Sequence, residues 1–187
     1  MKKILIAVML ALATLWAGED SISVEFDHAS LAVEGGALYL LDDANRNLDD
    51  SYYGLLEFNY TYFQSLIGVV QFGYSYLTTK GDVDYAGIHQ FNGRVGVDYP
   101  LPFVKPVAFG AGFSCVWMRA DDEGGNVANS SLADNESEFG FYARLNLPIV
   151  TWNAWRVGAK IYFETLWTAP ENSETAWFGF YLQRNLW

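Results

Sequence analysis

The chain has 187 residues, a formal net charge of −11, and 51% hydrophobic and 17% aromatic residues. That charge excludes nucleic acid as a partner, because phosphate binding needs clustered Lys and Arg. The single cysteine, Cys115, excludes an internal disulfide and a cysteine metal cluster, and so aromatic a chain is not a disordered one.

In chain order, the first element is the one continuous apolar run. Lys2 and Lys3 precede an apolar block over residues 4–16, and Ala17 and Gly18 follow it. A positive start, a short apolar core and small residues at the cut are the layout of a secretory signal peptide. The layout predicts a signal over residues 1–17, cleaved after Ala17 with Ala13 as a second site, and a mature domain over 18–187. The block is short for a membrane anchor, and no cysteine follows it to carry a lipid.

Eight segments with a period of two come next: residues 30–41, 52–63, 66–78, 86–99, 104–118, 138–148, 154–167 and 175–187. In the third, Leu66, Gly68, Val70, Phe72, Tyr74 and Tyr76 oppose Gln71, Gly73 and Ser75. In the fourth, Phe91, Gly93, Val95, Val97 and Tyr99 oppose Asn92, Arg94, Gly96 and Asp98. Connections alternate between short (Gln64-Ser65, then 100–106 and 149–153) and long and polar (42–51, 79–85, 119–137 and 168–174). Short–long alternation predicts antiparallel up-and-down strands with all long loops at one end. Pro100, Pro102, Pro106, Pro148 and Pro170 are placed in connections or at strand ends, where no ladder hydrogen bond is lost.

Parity does not say which face is inside, and a soluble lipocalin-like barrel would bury the apolar one. Three features favour a polar lumen. The polar face is small, with Gly73, Gly96, Gly110, Gly112, Gly140, Gly158 and Gly179 on it, as a narrow interior demands. Its charges balance, with Glu34, Glu57, Asp98 and Glu164 against Arg94, Arg144, Arg156 and Lys160, as a low-dielectric interior requires. Arg94 and Asp98, about 13 Å apart along one strand, must each reach another strand. Finally, Trp117, Trp167 and Trp177 are assigned to an aromatic belt near the long loops, and Trp152, Trp155, Tyr62 and Phe103 to one near the short turns.

With this signal, these strands and the aromatic ending "FGFYLQRNLW", the sequence resembles the small OmpA/OmpX-like outer-membrane β-barrels of Gram-negative bacteria. The resemblance implies an all-β fold, an eight-stranded antiparallel up-and-down transmembrane barrel in the outer membrane after Sec-type export. It implies surroundings of outer-membrane lipid and lipopolysaccharide. It also implies a C-terminal signal, Phe178, Phe180, Leu182 and Trp187, read by the barrel-assembly machinery. Two residues depart from the pattern: Asn185 stands where an apolar residue is usual, and Arg184 falls on the lipid parity, which calls for snorkelling to the interface or a register-shifting bulge.

Eight strands leave room for side chains only, so the polar set is expected to be a packed salt-bridge network that plugs the barrel. A narrow gated ion channel remains the alternative. Some outer-membrane barrels are lipid-active enzymes with a histidine at the outer rim. Here only His28 and His89 are present, without an evident serine, so no catalytic residue, enzymatic activity or cofactor is expected. The long loops are acidic and match no EF-hand spacing; Asp121, Asp122 and Glu123 are weak cation candidates. Cys115 has outward parity and reads as a small lipid-facing residue. The expected role is structural, with acidic extracellular loops presented to a surface partner.

Overall fold

A computed structural model describes residues 29–41, 48–63, 66–80, 87–104, 106–121, 136–167 and 172–186. The described residues form eight strands: β1 (Ala29–Leu40), β2 (Ser51–Phe63), β3 (Leu66–Thr78), β4 (Gly87–Pro100), β5 (Ala108–Asp121), β6 (Glu136–Trp152), β7 (Trp155–Leu166) and β8 (Ser173–Asn185). Each pairs antiparallel with the next, and β8 returns to β1, closing a barrel in sequence order. The signal-peptide expectation for residues 1–17 and the predicted terminal aromatic, Trp187, lie outside the described residues.

Successive strand residues point to opposite faces, and here the two faces invert the usual rule. On β4, Gln90, Asn92, Arg94 and Asp98 are buried, whereas Phe91, Val95, Val97 and Tyr99 are exposed. Around the ring, Leu31, Val33, Leu56, Phe58, Phe72, Phe109, Phe113, Phe141, Phe163, Phe178 and Phe180 also stand exposed on the outside. Among the described strand residues, ionisable side chains other than Tyr and Cys reach this outer face only at the strand ends. His89, Arg119, Asp121 and Glu174 do so near the long loops, and Arg184 near the short turns. The uncharged stretch of β5 from Phe109 to Trp117 runs about 27 Å along the strand. At the roughly 40° tilt of such barrels it covers about 20 Å, close to the ~25 Å apolar band that a bilayer requires.

The inward face is assembled by matching large side chains to glycines. A Cβ on Gly110 would overlap the Asp98 carboxylate, and one on Gly96 or Gly112 would strike Tyr142. Gly158 makes the same room for Tyr181, and Gly179 for Tyr53. Toward the long loops, Leu38, Leu40, Tyr53, Leu55, Leu77, Ile88, Tyr142, Tyr162 and Trp177 pack as an apolar cluster.

Two boundaries differ from the sequence reading by four residues, the end of β6 and the start of β5. β6 continues past residue 148 to Trp152, and Pro148 lies inside it, facing the lumen, at a register shift between Pro148 and Val150. A bulge is one of the few strand positions that tolerates a missing N–H, so the proline does not end the strand. The β6–β7 connection is therefore only Asn153 and Ala154, with Asn153 at φ 50°, a left-handed backbone that asparagine accepts readily. β5 starts at Ala108 instead of 104, because the backbone on either side of the connection is hydrogen-bonded as a turn: Leu101 N donates to Val107 O (2.8 Å), and Val107 N to Val104 O (2.8 Å). Phe103 at its tip is 94% exposed.

Candidate functional site

The chemistry-bearing residues fall into two places, the middle of the lumen and the outer rim of β3–β5. In the lumen, Arg94 on β4 makes a fork-to-fork contact with Glu164 on β7, Nε to Oε1 at 3.0 Å and Nη2 to Oε2 at 2.9 Å. Its guanidinium stacks 4.0 Å from the Trp177 ring centroid, with Tyr162 at 5.1 Å. Weakly hydrated arginine suits such a desolvated aromatic setting.

Asp98, four residues further along β4, binds elsewhere. Arg144 on β6 grips it with Nε and Nη2, both at 2.7 Å, and extends Nη1 to Glu57 Oε2 on β2 at 2.5 Å. Lys160 on β7 donates to the same Glu57 oxygen at 2.6 Å and stands 3.2 Å from Glu34 on β1. Glu57 also accepts from Asn59 (2.7 Å) and Gln71 (2.6 Å), while Glu34 accepts from Tyr53 (2.5 Å) and Tyr162 (2.8 Å). The side chains of Glu57, Arg144, Lys160 and Glu164 are 0% exposed. The carboxylates of Glu34, Glu57, Asp98 and Glu164 thus each have the paired charge and hydrogen bonds without which they would be very costly. Strands β1, β2, β4, β6 and β7 are tied together across the interior by this one cluster.

Of the predicted polar set, Glu34, Glu57, Arg94, Asp98, Arg144, Lys160 and Glu164 are thus brought together. Arg156 is not: it is half-buried near the short turns and has no ion pair among the described residues. Glu138, at the first position of the sixth predicted segment but outside the predicted polar set, faces the lumen of β6 and is buried. Sequence reasoning also passed over the tyrosines and amides that complete the network, Tyr53, Tyr162, Asn59 and Gln71. Their inward parity was the available signal.

Trp177 requires a correction. Assigned to the outer aromatic belt, it is 1% exposed and lies in the lumen, where its Nε1 donates to Thr175 Oγ1 at 2.8 Å. It shares parity with Thr175 and Gly179, opposite to Phe178, Phe180 and Leu182, which do face outward. Trp117, Trp152 and Trp167 are exposed at the strand ends, and Trp155 is half-buried there. Arg184 sits beside Trp155, its Cζ 5.4 Å from the ring centroid, and the β7–β8 pairing runs without a register shift. The arginine is therefore an outward side chain at the interface and not the product of a bulge.

At the rim, His89 on β4 is clasped by its neighbours. Its Nδ1 is 2.8 Å from the Tyr74 hydroxyl, and its Nε2 is 3.8 Å from Asp121 Oδ2, which accepts from Tyr76 OH at 2.8 Å. Neither contact of the imidazole is with a serine, threonine or cysteine. Asp122 and Glu123 lie outside the described residues, and no three potential ligands gather around a metal position among those described.

No protein-family model and no curated protein matches the chain. Solved structures do. Neisserial surface protein A aligns over 85% of this chain and 97% of its own, with a TM-score of 0.60 at 10% identity. OprG of Pseudomonas aeruginosa aligns over 86% and 98%, with a TM-score of 0.52 at 11% identity. Ail, the attachment invasion locus protein of Yersinia pestis, aligns over 84% and 99%, with a TM-score of 0.51 at 12% identity. The chain has the fold of the small OmpA/OmpX-like outer-membrane β-barrels.

Proposed function

We propose that this chain, with the fold of the small outer-membrane barrels, is exported, inserts in an outer membrane of the Gram-negative type, and serves there as a plugged barrel with a structural and surface role. The observation that carries the reading is the inversion of its two faces. An apolar outer band with ionisable side chains only at its ends suits lipid, and a lumen crossed by buried ion pairs suits neither a soluble core nor an open pore. Export is supported by the signal layout over residues 1–17. The acidic composition of the long loops, and the surface or attachment roles printed in the names of two structural neighbours, support loops that present to a partner outside the cell. Lipopolysaccharide is the expected neighbour in the membrane, and the barrel-assembly machinery the expected partner during insertion.

Two experiments test this. The mature chain, residues 18–187, refolded into phosphatidylcholine vesicles, is expected to migrate as a compact band on an unboiled gel and to shift on boiling; a chain that stays soluble and monomeric without detergent would be a lipocalin-like barrel instead. Planar-bilayer recording of the same material is expected to show no steady current. Reproducible conductance steps that disappear on removing the charge of Arg94 or Lys160 would replace the plug with a gate. We assign no enzymatic activity. Neither of the two contacts of the His89 ring nitrogens, to Tyr74 and to Asp121, brings a serine, threonine or cysteine nucleophile, and released fatty acid on incubation with lipopolysaccharide would refute the assignment.

A further inference from the structure

We propose that the outer face of β4 and β5, at the long-loop end, seats one lipid that carries an anionic phosphate headgroup. The inference rests on the membrane placement proposed above and assigns a site within it. The two strands pair in a ladder whose outward rungs change character in steps: His89 opposite Arg119, then Phe91 opposite Trp117, then Gly93 opposite Cys115, then Val95 opposite Phe113.

The top rung supplies the charge. Arg119 is exposed and has no ion pair among the described residues, in a chain of net charge −11. A guanidinium fork at the headgroup level is matched to phosphate oxygens. Asp121, two residues away, is engaged by the Tyr76 hydroxyl at 2.8 Å and stands 3.8 Å from His89 Nε2. The Tyr74 hydroxyl, 2.8 Å from Nδ1, holds the imidazole beside the arginine.

The second rung is an aromatic collar. The rings of Phe91 and Trp117 are 5.4 Å apart, and Tyr74 adds a third ring 5.2 Å from Phe91. Tyrosine and tryptophan favour this level of a bilayer, between the headgroups and the acyl chains.

The third rung is a notch. Gly93 and Cys115 are the smallest outward pair on these strands, set between the collar above and Val95–Phe113 below. Packing does not demand that glycine: a Cβ there would meet nothing nearer than Cys115 O at 3.8 Å, unlike Gly96, Gly110 and Gly112 in the lumen, whose Cβ would collide. A missing side chain that the barrel does not need leaves room for an acyl chain hanging below the collar. Gly35 opposite Gly54 forms a similar notch between β1 and β2, with no cation above it among the described strand residues.

Native mass spectrometry of the refolded mature chain, released from mixed micelles of phosphatidic acid and phosphatidylcholine in equal amounts, tests the seat. One phosphatidic acid is expected to be retained at roughly tenfold preference, the size of effect one charge-assisted contact supplies. Arg119→Gln is expected to remove most of the preference, His89→Gln part of it, and Gly93→Leu to weaken retention with no change of charge. Arg184→Gln, at the opposite rim, is expected to leave it intact. Equal retention of the two lipids, a preference untouched by Arg119→Gln, or displacement by inorganic phosphate alone would each overturn the seat. The unboiled gel separates the two failures. A wild-type chain without a compact band overturns the membrane placement and the seat with it, whereas a compact barrel without preference overturns the seat alone.

Discussion

The two faces of the same strands obey different rules of substitution. Outside, the requirement is for apolar character at a given height, since lipid conforms to whatever side chain it meets. Inside, each large group has a partner of fixed shape: Arg144 and Asp98 over Gly110, Tyr142 over Gly96 and Gly112, and Tyr181 over Gly158. One face is specified by type, the other by identity, and a single residue step along a strand crosses from one regime to the other.

The sharpest way to break this contrast is to fill the lumen. Gly110→Leu forces a side chain into the Asp98–Arg144 contact, and is expected to abolish the compact band on an unboiled gel altogether; a normally folded variant would show that the lumen repacks freely. Next in size is the hub of the ion pairs. Glu57→Gln leaves Arg144 and Lys160 short of a charge that both now share, and a loss of about 3–5 kcal/mol is expected from urea unfolding in vesicles, the scale for breaking a buried pair. A loss below about 1 kcal/mol would mean that water already shields the network.

On the outer face, Val95→Arg places a charge at mid-height, and the expected loss is about 2–4 kcal/mol, the depth-dependent cost in lipid. An unchanged midpoint would argue that Val95 does not face hydrocarbon. Phe113→Leu, an apolar exchange at the same level, should be the mildest, under about 1.5 kcal/mol. If it were as damaging as Glu57→Gln, the outer face would be a specific interface instead of a solvated-by-lipid surface.

The eight strands, their antiparallel order and the inverted faces were legible because alternation is a local signal, readable from a window of a few residues. What escaped depended on longer range. For Trp177 residue type and parity disagree: tryptophan favours membrane interfaces, but its parity with Thr175 and Gly179 points it inward, and parity prevails. A proline, having no N–H for the ladder, predicts an end to β6 at Pro148; the bulge that accommodates it is visible only against β7. β6 begins at Glu136, two residues before the predicted segment, because Glu136, Ser137 and Glu138 are too uniformly polar for alternation to show. The pairing within the lumen was the least readable part. Arg94 meets Glu164 and Arg144 meets Glu57 across the barrel, and which strands face one another at which height is fixed by tilt and stagger on closure, not by any spacing along the chain.

The pairing of β1 with β8, Ser30 with Asn185 through to Leu40 with Thr175, has a kinetic meaning. It joins residues more than a hundred positions apart, the highest-separation contact in a fold otherwise made of neighbouring hairpins, and loop-closure entropy places such contacts late. Until that seam zips, the chain is an open ribbon with two bare edges, each a template for another strand. Every copy therefore passes through a sticky intermediate whose lifetime ends only when the final strand has been delivered. Loss of the last few residues should act less on the stability of the finished ring than on the number of chains that ever reach it.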